Sequence, residues 1–317
     1  MENELRRDYF TDRQVIIAVG RGRRPTDFKH EAAMDSGDVK GCFFCPGNES
    51  STPPEIMRVE EGGKWVVRVF PNKFPAVKPE RGESTPEMMP AYGYHEIVVE
   101  TPDHTKTVAD LSVEEIGRVL KIYTARVDAM YKDPIVKYAL VFKNHGKAAG
   151  ASLAHTHTQI VSLPIIPKAV AEEEAAAAKY RMEKGSCPLC DAWKREASGP
   201  RGIWEDGNAA VFAPYASRNP FEAWVLPKRH VRVLGELRPD EIASLAQGLK
   251  LVLGKLKDGL SDTPYNMHFH LAPPGGDLHM HLEVMPKLST WAGFELGSGI
   301  IINTMPPEKA AEFYRQT

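Results

Sequence analysis

The strongest constraint on this chain is that it says the same thing twice. Cys42-Phe-Phe-Cys45 is followed by a strand-like run, WVVRVFPNKFPAV at 65–77, then by HEIVVETPDH at 95–104 and a helix-like segment, DLSVEEIGRVLKIY, at 110–123. Cys187-Pro-Leu-Cys190 is followed by AAVFAPYASRNPFEAWVLPKRH at 209–230 and a helix-like ELRPDEIASLAQGLKLVL at 236–253. His104 lies seven residues before Leu111, and His230 lies seven before Leu237. Each half then has a strand-like stretch (136–146 and 265–273) and a His-x-His run, His155/His157 and His279/His281. From His104 to His155 is 51 residues, and from His230 to His279 is 49. A repeat at this period implies two copies of one supersecondary unit.

The fold expectation follows. Each unit has several strands in an antiparallel-compatible pattern, short turns such as Gly62-Gly63, and one long helix, so the class is α+β. Ser112, with Glu115 three residues on, is the expected cap of the first helix. The Ala- and Glu-rich stretch 169–184 is expected to be a helical connector. It divides the 317 residues into an N-terminal unit, 1–168, and a C-terminal unit, 169–317.

Composition narrows the function classes. Hydrophobic residues are 42% and charged residues 26%, as in globular domains. Forty Lys+Arg against 42 Asp+Glu give a net charge of −2, which argues against a dedicated nucleic-acid binder. A membrane span needs roughly 18 consecutive apolar residues, and no run here approaches that length. The start, MENELRRDYF, lacks the apolar core of a signal peptide. A cytoplasmic protein with no membrane partner is the expectation. In that setting two CxxC pairs read as metal or redox sites rather than disulfides.

A tetrahedral metal site takes four nitrogen or sulfur ligands, and a CxxC turn supplies two. The recurring histidines complete two sets: Cys42/Cys45/His104/His155 and Cys187/Cys190/His230/His279. Buried thiol pairs beside unrelated histidines are the bland alternative, and His281 is the other candidate for the second set. On a strand, His155, His157 and Gln159 share a face. If His155 binds metal, His157 is held beside a fixed neighbour, and a neutral imidazole is a competent nucleophile toward phosphorus. A third ligand or a satisfied core histidine are its other readings. Gly146, Gly150 and Ser152 belong to a small-residue loop able to cradle phosphate oxygens, or to an ordinary turn. Arg21 to Arg24 could bind phosphates or be a solvated run. Asn72 could hydrogen-bond a base or ribose, or cap a turn.

Taken together, RGRRP at 21–25, CFFCPGNE at 42–49, VRVFPNKFPA at 67–76, PDHTKT at 102–107, the N-x-G-x-x-x-G-x-S pattern at 144–152, HTHTQI at 155–160 and PFEAWVLPKRH at 220–230 resemble the signatures of galactose-1-phosphate uridylyltransferase, within the histidine-triad superfamily. The resemblance covers nearly the whole chain. It implies two tandem histidine-triad-like modules and a homodimer with composite sites. It implies that His157 is the uridylylated nucleophile, that Gln159 holds the phosphoryl oxygens, and that Asn144, Gly150 and Ser152 contact the diphosphate. Arg21, Arg24, Asn72 and Lys73 would approach the nucleotide, and Cys42, Cys45, His104 and His155 match the family's zinc ligands. The implied reaction moves UMP from UDP-glucose to galactose 1-phosphate by double displacement.

The chain departs from the family pattern in two places. Thr156 stands where the family's run has proline. The second CxxC resembles a related branch, ADP-glucose phosphorylase, which uses a second zinc there, whereas the best-known bacterial enzymes place an iron near the equivalents of His270, His281 and Glu283. Two zinc sites per chain, with iron as the other candidate at the second, are therefore expected. An adenylyltransferase using inorganic phosphate is the alternative function. A zinc-stapled RNA-binding module is a third reading, for which the chain lacks aromatic platforms and clustered charge.

Overall fold

The computed structural model describes residues 2–19 and 41–316. Arg21 and Arg24 lie outside the described residues.

Each half runs through the same order of elements. In the first, β3 (Met57–Glu61), β4 (Lys64–Pro71) and β5 (His95–Val99) precede helix α1 (Val113–Met130), and β6 (Tyr138–His145) and β7 (His157–Leu163) follow it. In the second, β8 (Gly202–Glu205), β9 (Ala209–Phe212) and β10 (Ala223–Pro227) precede α4 (Pro239–Gly259), and β11 (Tyr265–His270) and β12 (His281–Pro286) follow it. The sheet order is β3-β4-β5-β7-β6-β11-β12-β10-β9-β8, with every pair antiparallel. The α+β expectation holds. The order adds that the two five-stranded halves fuse, because β6 pairs with β11 from Tyr265↔His145 to His268↔Phe142.

Local chemistry explains the elements. Gly62 and Gly63, both at positive φ, turn β3 into β4 as a two-residue hairpin requires. Ser112 caps α1: the Glu115 N–H donates to Ser112 Oγ at 3.1 Å, and the Ser112 N–H donates to the Glu115 carboxylate at 2.6 Å. Pro239 opens α4, where its missing N–H costs nothing. The apolar stripe Ile116, Val119, Leu120, Tyr123 and Val127 of α1 is buried in one core with Val67, Val69, Val98, Val141 and Ile160 of the sheet. Each such side chain contributes about 1.5–3 kcal/mol. Gly248 lets α4 lie close on the second half, since a Cβ there would stand 2.8 Å from Val211.

The connector is helix α2 (Lys168–Lys184), followed by α3 (Pro188–Ala197), which starts directly after Cys187. A small sheet joins the chain's two ends: β1 (Glu4–Arg7) pairs with β2 (Gln14–Ile17), and β2 runs parallel to β13 (Ile301–Asn303), which lies between α5 (Gly293–Ser298) and α6 (Pro307–Arg315). Among the described residues no helix is long and apolar enough to cross a membrane.

Helices α1 and α4 cover one face of the large sheet. On the other face Gln159, Val161 and Leu163 of β7, Leu140, Phe142 and Asn144 of β6, and Asn266 and His268 of β11 remain half-buried. The groups that carry chemistry lie along this face.

Candidate active site and metal centres

Cys42 and Cys45 sit in a tight turn, with the Cys45 N–H donating to Cys42 O at 3.4 Å. Cys45 Sγ is 3.3 Å from His104 Nδ1 and 3.6 Å from His155 Nδ1, and Cys42 Sγ is 3.5 Å from His155 Nδ1. Zinc bonds of about 2.3 Å to sulfur and 2.0–2.1 Å to nitrogen put tetrahedron corners about 3.3–3.8 Å apart, and these three sulfur–nitrogen distances match that spacing. The tautomer fits as well. His155 Nε2 donates to Thr101 O at 2.7 Å. That bond leaves the Nδ1 lone pair facing the sulfurs, as a partner on the far nitrogen of a metal-binding imidazole does.

The second cluster repeats this. Cys190 Sγ is 3.4 Å from His279 Nδ1 and 3.7 Å from His230 Nδ1. His279 Nε2 donates to Pro227 O at 2.9 Å, and His230 Nε2 lies 3.1 Å from the Asp277 carboxylate. Cys42/Cys45/His104/His155 and Cys187/Cys190/His230/His279 each bring their ligand atoms within 4.8 Å of one another, and each set could hold a metal such as zinc. His279, and not His281, stands with the second cysteine pair.

His281 belongs to a third group. Its ligand atoms come together with those of Glu173 on α2 and His270 on β11, and His268, His270 and Glu283 form an overlapping set. His270 Nδ1 is 2.7 Å from Glu173, and His268 and His270 meet through Nε2 at 2.8 Å. His281 Nε2 and Glu283 Oε1 are buried without a hydrogen-bond partner. Two orphaned ligand atoms among imidazoles and carboxylates fit a borderline cation such as iron or zinc.

His157 opens β7 directly after the first metal-type cluster. His155 and Thr156 precede the strand, so the shared face read from the sequence begins at His157. His157 Nδ1 donates to His155 O at 2.8 Å, which leaves Nε2 with its lone pair. Burial and the nearby Lys143 ammonium push the imidazole down to about 4, so the ring is neutral near pH 7. It is 8% exposed and lies between two openings. One is a cavity of about 440 Å³ lined also by Phe43, Phe44, Phe74, Asn72, Lys73, Ser152 and Gln159. The other is a pocket of about 110 Å³ whose walls include Lys106, Asn144, Gly146 and Lys257.

The carbonyl of Gln159 is engaged by His95. The Ala76 N–H donates to His95 Nδ1 at 3.1 Å, so in the neutral ring Nε2 carries the hydrogen and donates to Gln159 Oε1 at 2.8 Å, while the Asn72 amide nitrogen stands 3.1 Å from the same Nε2 and gains no acceptor there. Gln159 lines the cavity, and its amide nitrogen is the end that His95 does not engage. Sequence reading missed His95: it lies two strand positions before Ile97, and only the β5–β7 register brings it near Gln159. Asn72 closes a local turn, with its Oδ1 accepting the Phe74 N–H at 2.9 Å. Gly150, at φ +88°, ends the 3₁₀ turn Lys147–Ala149 beside Asn144.

Beneath His157 runs a closed polar network. Lys143 Nζ donates to Glu100 at 2.6 Å, to Thr156 Oγ1 at 2.8 Å and to His157 O at 2.8 Å. Thr156 and Thr158 donate to Glu100 at 2.6 and 2.5 Å, and Tyr123 donates to it at 2.8 Å. Every donor of the buried ammonium is used, the condition for keeping an ion pair out of water. The threonine at position 156 thus anchors the backbone of the His-x-His run.

Comparison with known proteins adds to this geometry. A profile described as "Galactose-1-phosphate uridyl transferase, N-terminal domain" matches residues 1–167, and one described as a domain of unknown function matches residues 94–314. The chain is 34% identical to an ADP-glucose phosphorylase of Arabidopsis thaliana, over 99% of this chain and 92% of that protein. It is 30% identical to a galactose-1-phosphate uridylyltransferase of Thermotoga maritima, over 99% of this chain and 98% of that protein. The crystal structure of an ADP-glucose phosphorylase from Arabidopsis thaliana with bound ADP-glucose superimposes with a TM-score of 0.87 at 33% identity, covering 99% of both chains.

Proposed function

Because the chain belongs to the galactose-1-phosphate uridylyltransferase family, we propose that it transfers a nucleotidyl group between sugar phosphates through a covalent nucleotidyl-histidine at His157. The observation that carries this is one ring: neutral, locked through Nδ1–H on His155 O, so that Nε2 keeps its lone pair, and set in the wall of a cavity of about 440 Å³.

His157 Nε2 attacks the α-phosphorus of UDP-glucose. The bond from that phosphorus to the bridging oxygen breaks, and glucose 1-phosphate leaves with the electron pair. A phosphate oxygen of galactose 1-phosphate then attacks the same phosphorus and frees the imidazole. The positive charge that develops on the ring is met by the His155 carbonyl. Gln159 offers amide hydrogens to the phosphoryl oxygens, and Asn144, Gly150 and Ser152 face the diphosphate. Asn72 and Lys73 receive the nucleoside end, and Arg21 and Arg24, outside the described residues, extend the charge from the same chain or from a second copy in a homodimer. Positioning and charge neutralisation supply most of the acceleration.

Cys42, Cys45, His104 and His155 would hold one zinc, and Cys187, Cys190, His230 and His279 a second zinc or an iron. Glu173, His270 and His281 would take a further borderline cation. A metal in the first site would supply a rigid anchor for His155. The chain's own contribution is to pass that rigidity through the His155 carbonyl to His157.

A second reading keeps His157 and changes the partners: ADP-glucose as donor and inorganic phosphate as acceptor. Likeness to an ADP-glucose phosphorylase along 99% of the chain favours it. A parallel assay decides. UDP-glucose is given with galactose 1-phosphate, ADP-glucose with phosphate, and products are quantified. Donor labelled in its nucleotide should leave acid-labile, base-stable label on the protein and none on His157→Asn. Undiminished labelling of that variant excludes the mechanism.

A further inference from the structure

We propose that Asn266, a residue of the C-terminal half, fixes the direction in which Asn144 presents its amide to the diphosphate, and so acts as a positioning residue for the N-terminal site. The inference rests on the reading above that Asn144 faces the diphosphate.

The two asparagines are directly opposed across the seam between the halves, Asn266 on β11 against Asn144 on β6. Asn266 Nδ2 lies 2.8 Å from Asn144 Oδ1 and 2.8 Å from Ala149 O. The two ends of a primary amide have nearly the same shape, and only their partners decide which is oxygen and which is nitrogen. Here the partners leave no choice. Ala149 O is a backbone carbonyl and can only accept, so the Asn266 atom facing it is the NH2. The second hydrogen of that NH2 points at Asn144, so the Asn144 atom facing it is the carbonyl oxygen. The Asn144 amide nitrogen is thereby turned the other way. It stands beside the loop, 3.8 Å from where a Cβ on Gly150 would sit. Asn144 also lines the 110 Å³ pocket it shares with His157.

The same device operates on a second amide of the site. His95, its tautomer set by the Ala76 N–H, occupies the Gln159 carbonyl and does not engage the Gln159 NH2. The Asn144 and Gln159 amides thus each have the carbonyl end engaged before any ligand arrives, and the Asn72 amide at the same cavity has its Oδ1 on the Phe74 N–H. What remains is donors only, the polarity an anionic phosphorus centre requires. An unlocked amide would spend part of its time offering a carbonyl dipole to phosphate oxygens, and reorienting it would cost part of the binding energy at the moment of reaction. Asn266 also ties down Ala149 O at the end of the 3₁₀ turn, so one side chain fixes both the loop and the amide.

The test is a double-mutant cycle read by steady-state kinetics on whichever of UDP-glucose and ADP-glucose the unmodified protein turns over. Asn266→Asp has no donor to give: its carboxylate draws the Asn144 NH2 toward itself and turns the Asn144 carbonyl to the diphosphate. Asn266→Ala leaves the amide free to choose. The expected loss in kcat/KM is about 100-fold for the aspartate and about tenfold for the alanine, with metal content and melting temperature of the alanine variant near those of the parent. In an Asn144→Ala background the alanine change should cost little more. Equal activity of Asn266→Ala and the parent overturns the proposal, and so does a loss that persists undiminished without the Asn144 amide, since that loss would come from the loop alone. The alanine cycle decides even if the aspartate variant does not fold. A parent protein that turns over neither donor overturns the transferase reading itself, and this outcome is distinct from both.

Discussion

The two halves differ most where they look most alike. In each, a metal-type cluster ends in a histidine whose carbonyl accepts the Nδ1–H of a second histidine: His157 to His155 at 2.8 Å, and His281 to His279 at 3.3 Å. His157 opens on a 440 Å³ cavity, whereas His281 is 1% exposed. The register shows why. Ile97 opposes Gln159 across β5–β7, and Trp224 opposes Glu283 across β10–β12. Ile97 lines the first cavity, while the Trp224 indole lies over His281 with ring centroids 4.8 Å apart. His270 stacks near the same ring at 4.6 Å, and Arg218 pairs with Glu283, the counterpart of Gln159. The spacing of residues sets where an imidazole stands. The size of one side chain on the neighbouring strand sets whether a substrate can reach it.

The largest expected effect tests that asymmetry directly. His157→Asn should abolish labelling by donor nucleotide, a loss on the order of 10⁴-fold or more for a nucleophile. His281→Asn should leave labelling within a few-fold of the parent. Equal losses from the two variants would mean that the second half is catalytic too.

Removing ligands separates the halves next. Cys42→Ser and Cys187→Ser should each lower bound metal by one equivalent, measured by elemental analysis. Only Cys42→Ser should also slow labelling, by about 100-fold, because only its cluster holds the carbonyl that orients the nucleophile. A Cys187→Ser variant that slows labelling just as much would show that the second cluster supports the reaction centre as directly as the first.

Much of this was legible in the sequence and some of it could not be. The repeat, the class, the cap at Ser112, the Gly62-Gly63 turn and the grouping of cysteines with histidines all follow from local spacing. The fusion of the halves does not. β6 shows the same alternation whether its free edge meets solvent or β11, since alternation reports the two faces of a sheet and not its edges. His95 and Asn266 escaped for the same reason, each acting on a partner reached only across a strand pair. Nor could the spacing of His279 and His281 reveal that Trp224 closes over the second ring, since a duplicated motif keeps its pattern after its cavity is filled.

Exchanging the two opposed side chains sharpens the point. Trp224→Ile should cost about 3 kcal/mol in urea unfolding, as large-to-small core changes do, and should leave turnover intact. Ile97→Trp should raise KM for the donor tenfold or more, with a smaller stability change of about 1–3 kcal/mol. If Ile97→Trp binds donor normally, the cavity beside His157 is not the nucleoside's.

The smallest effect on activity is one of pH, and here the halves should agree before they part. Burial pushes both imidazoles down to about 4, helped by Lys143 at His157 and by His270 at His281. An unfolded histidine titrates near 6.5. Between about pH 6.5 and 4 the unfolded chain therefore binds the proton that the folded ring refuses, so stability falls as pH falls through that window. Each ring contributes up to about 3 kcal/mol to that loss, and replacing either by asparagine should flatten the acid limb of the stability profile. Activity divides them. A nucleophile that titrates near 4 is about nine-tenths neutral at pH 5, where an ordinary histidine would be only about 3% neutral. Single-turnover labelling at pH 5 should thus keep most of its neutral-pH rate if the protein is still folded. Where no cation occupies the Glu173, His270 and His281 group, His281 protonates in the same range without touching the reaction, so His281→Asn should shift the acid unfolding midpoint and leave the labelling profile in place. A labelling rate that halves near pH 6.5 would mean that the ring accepting the nucleotide is not the buried one.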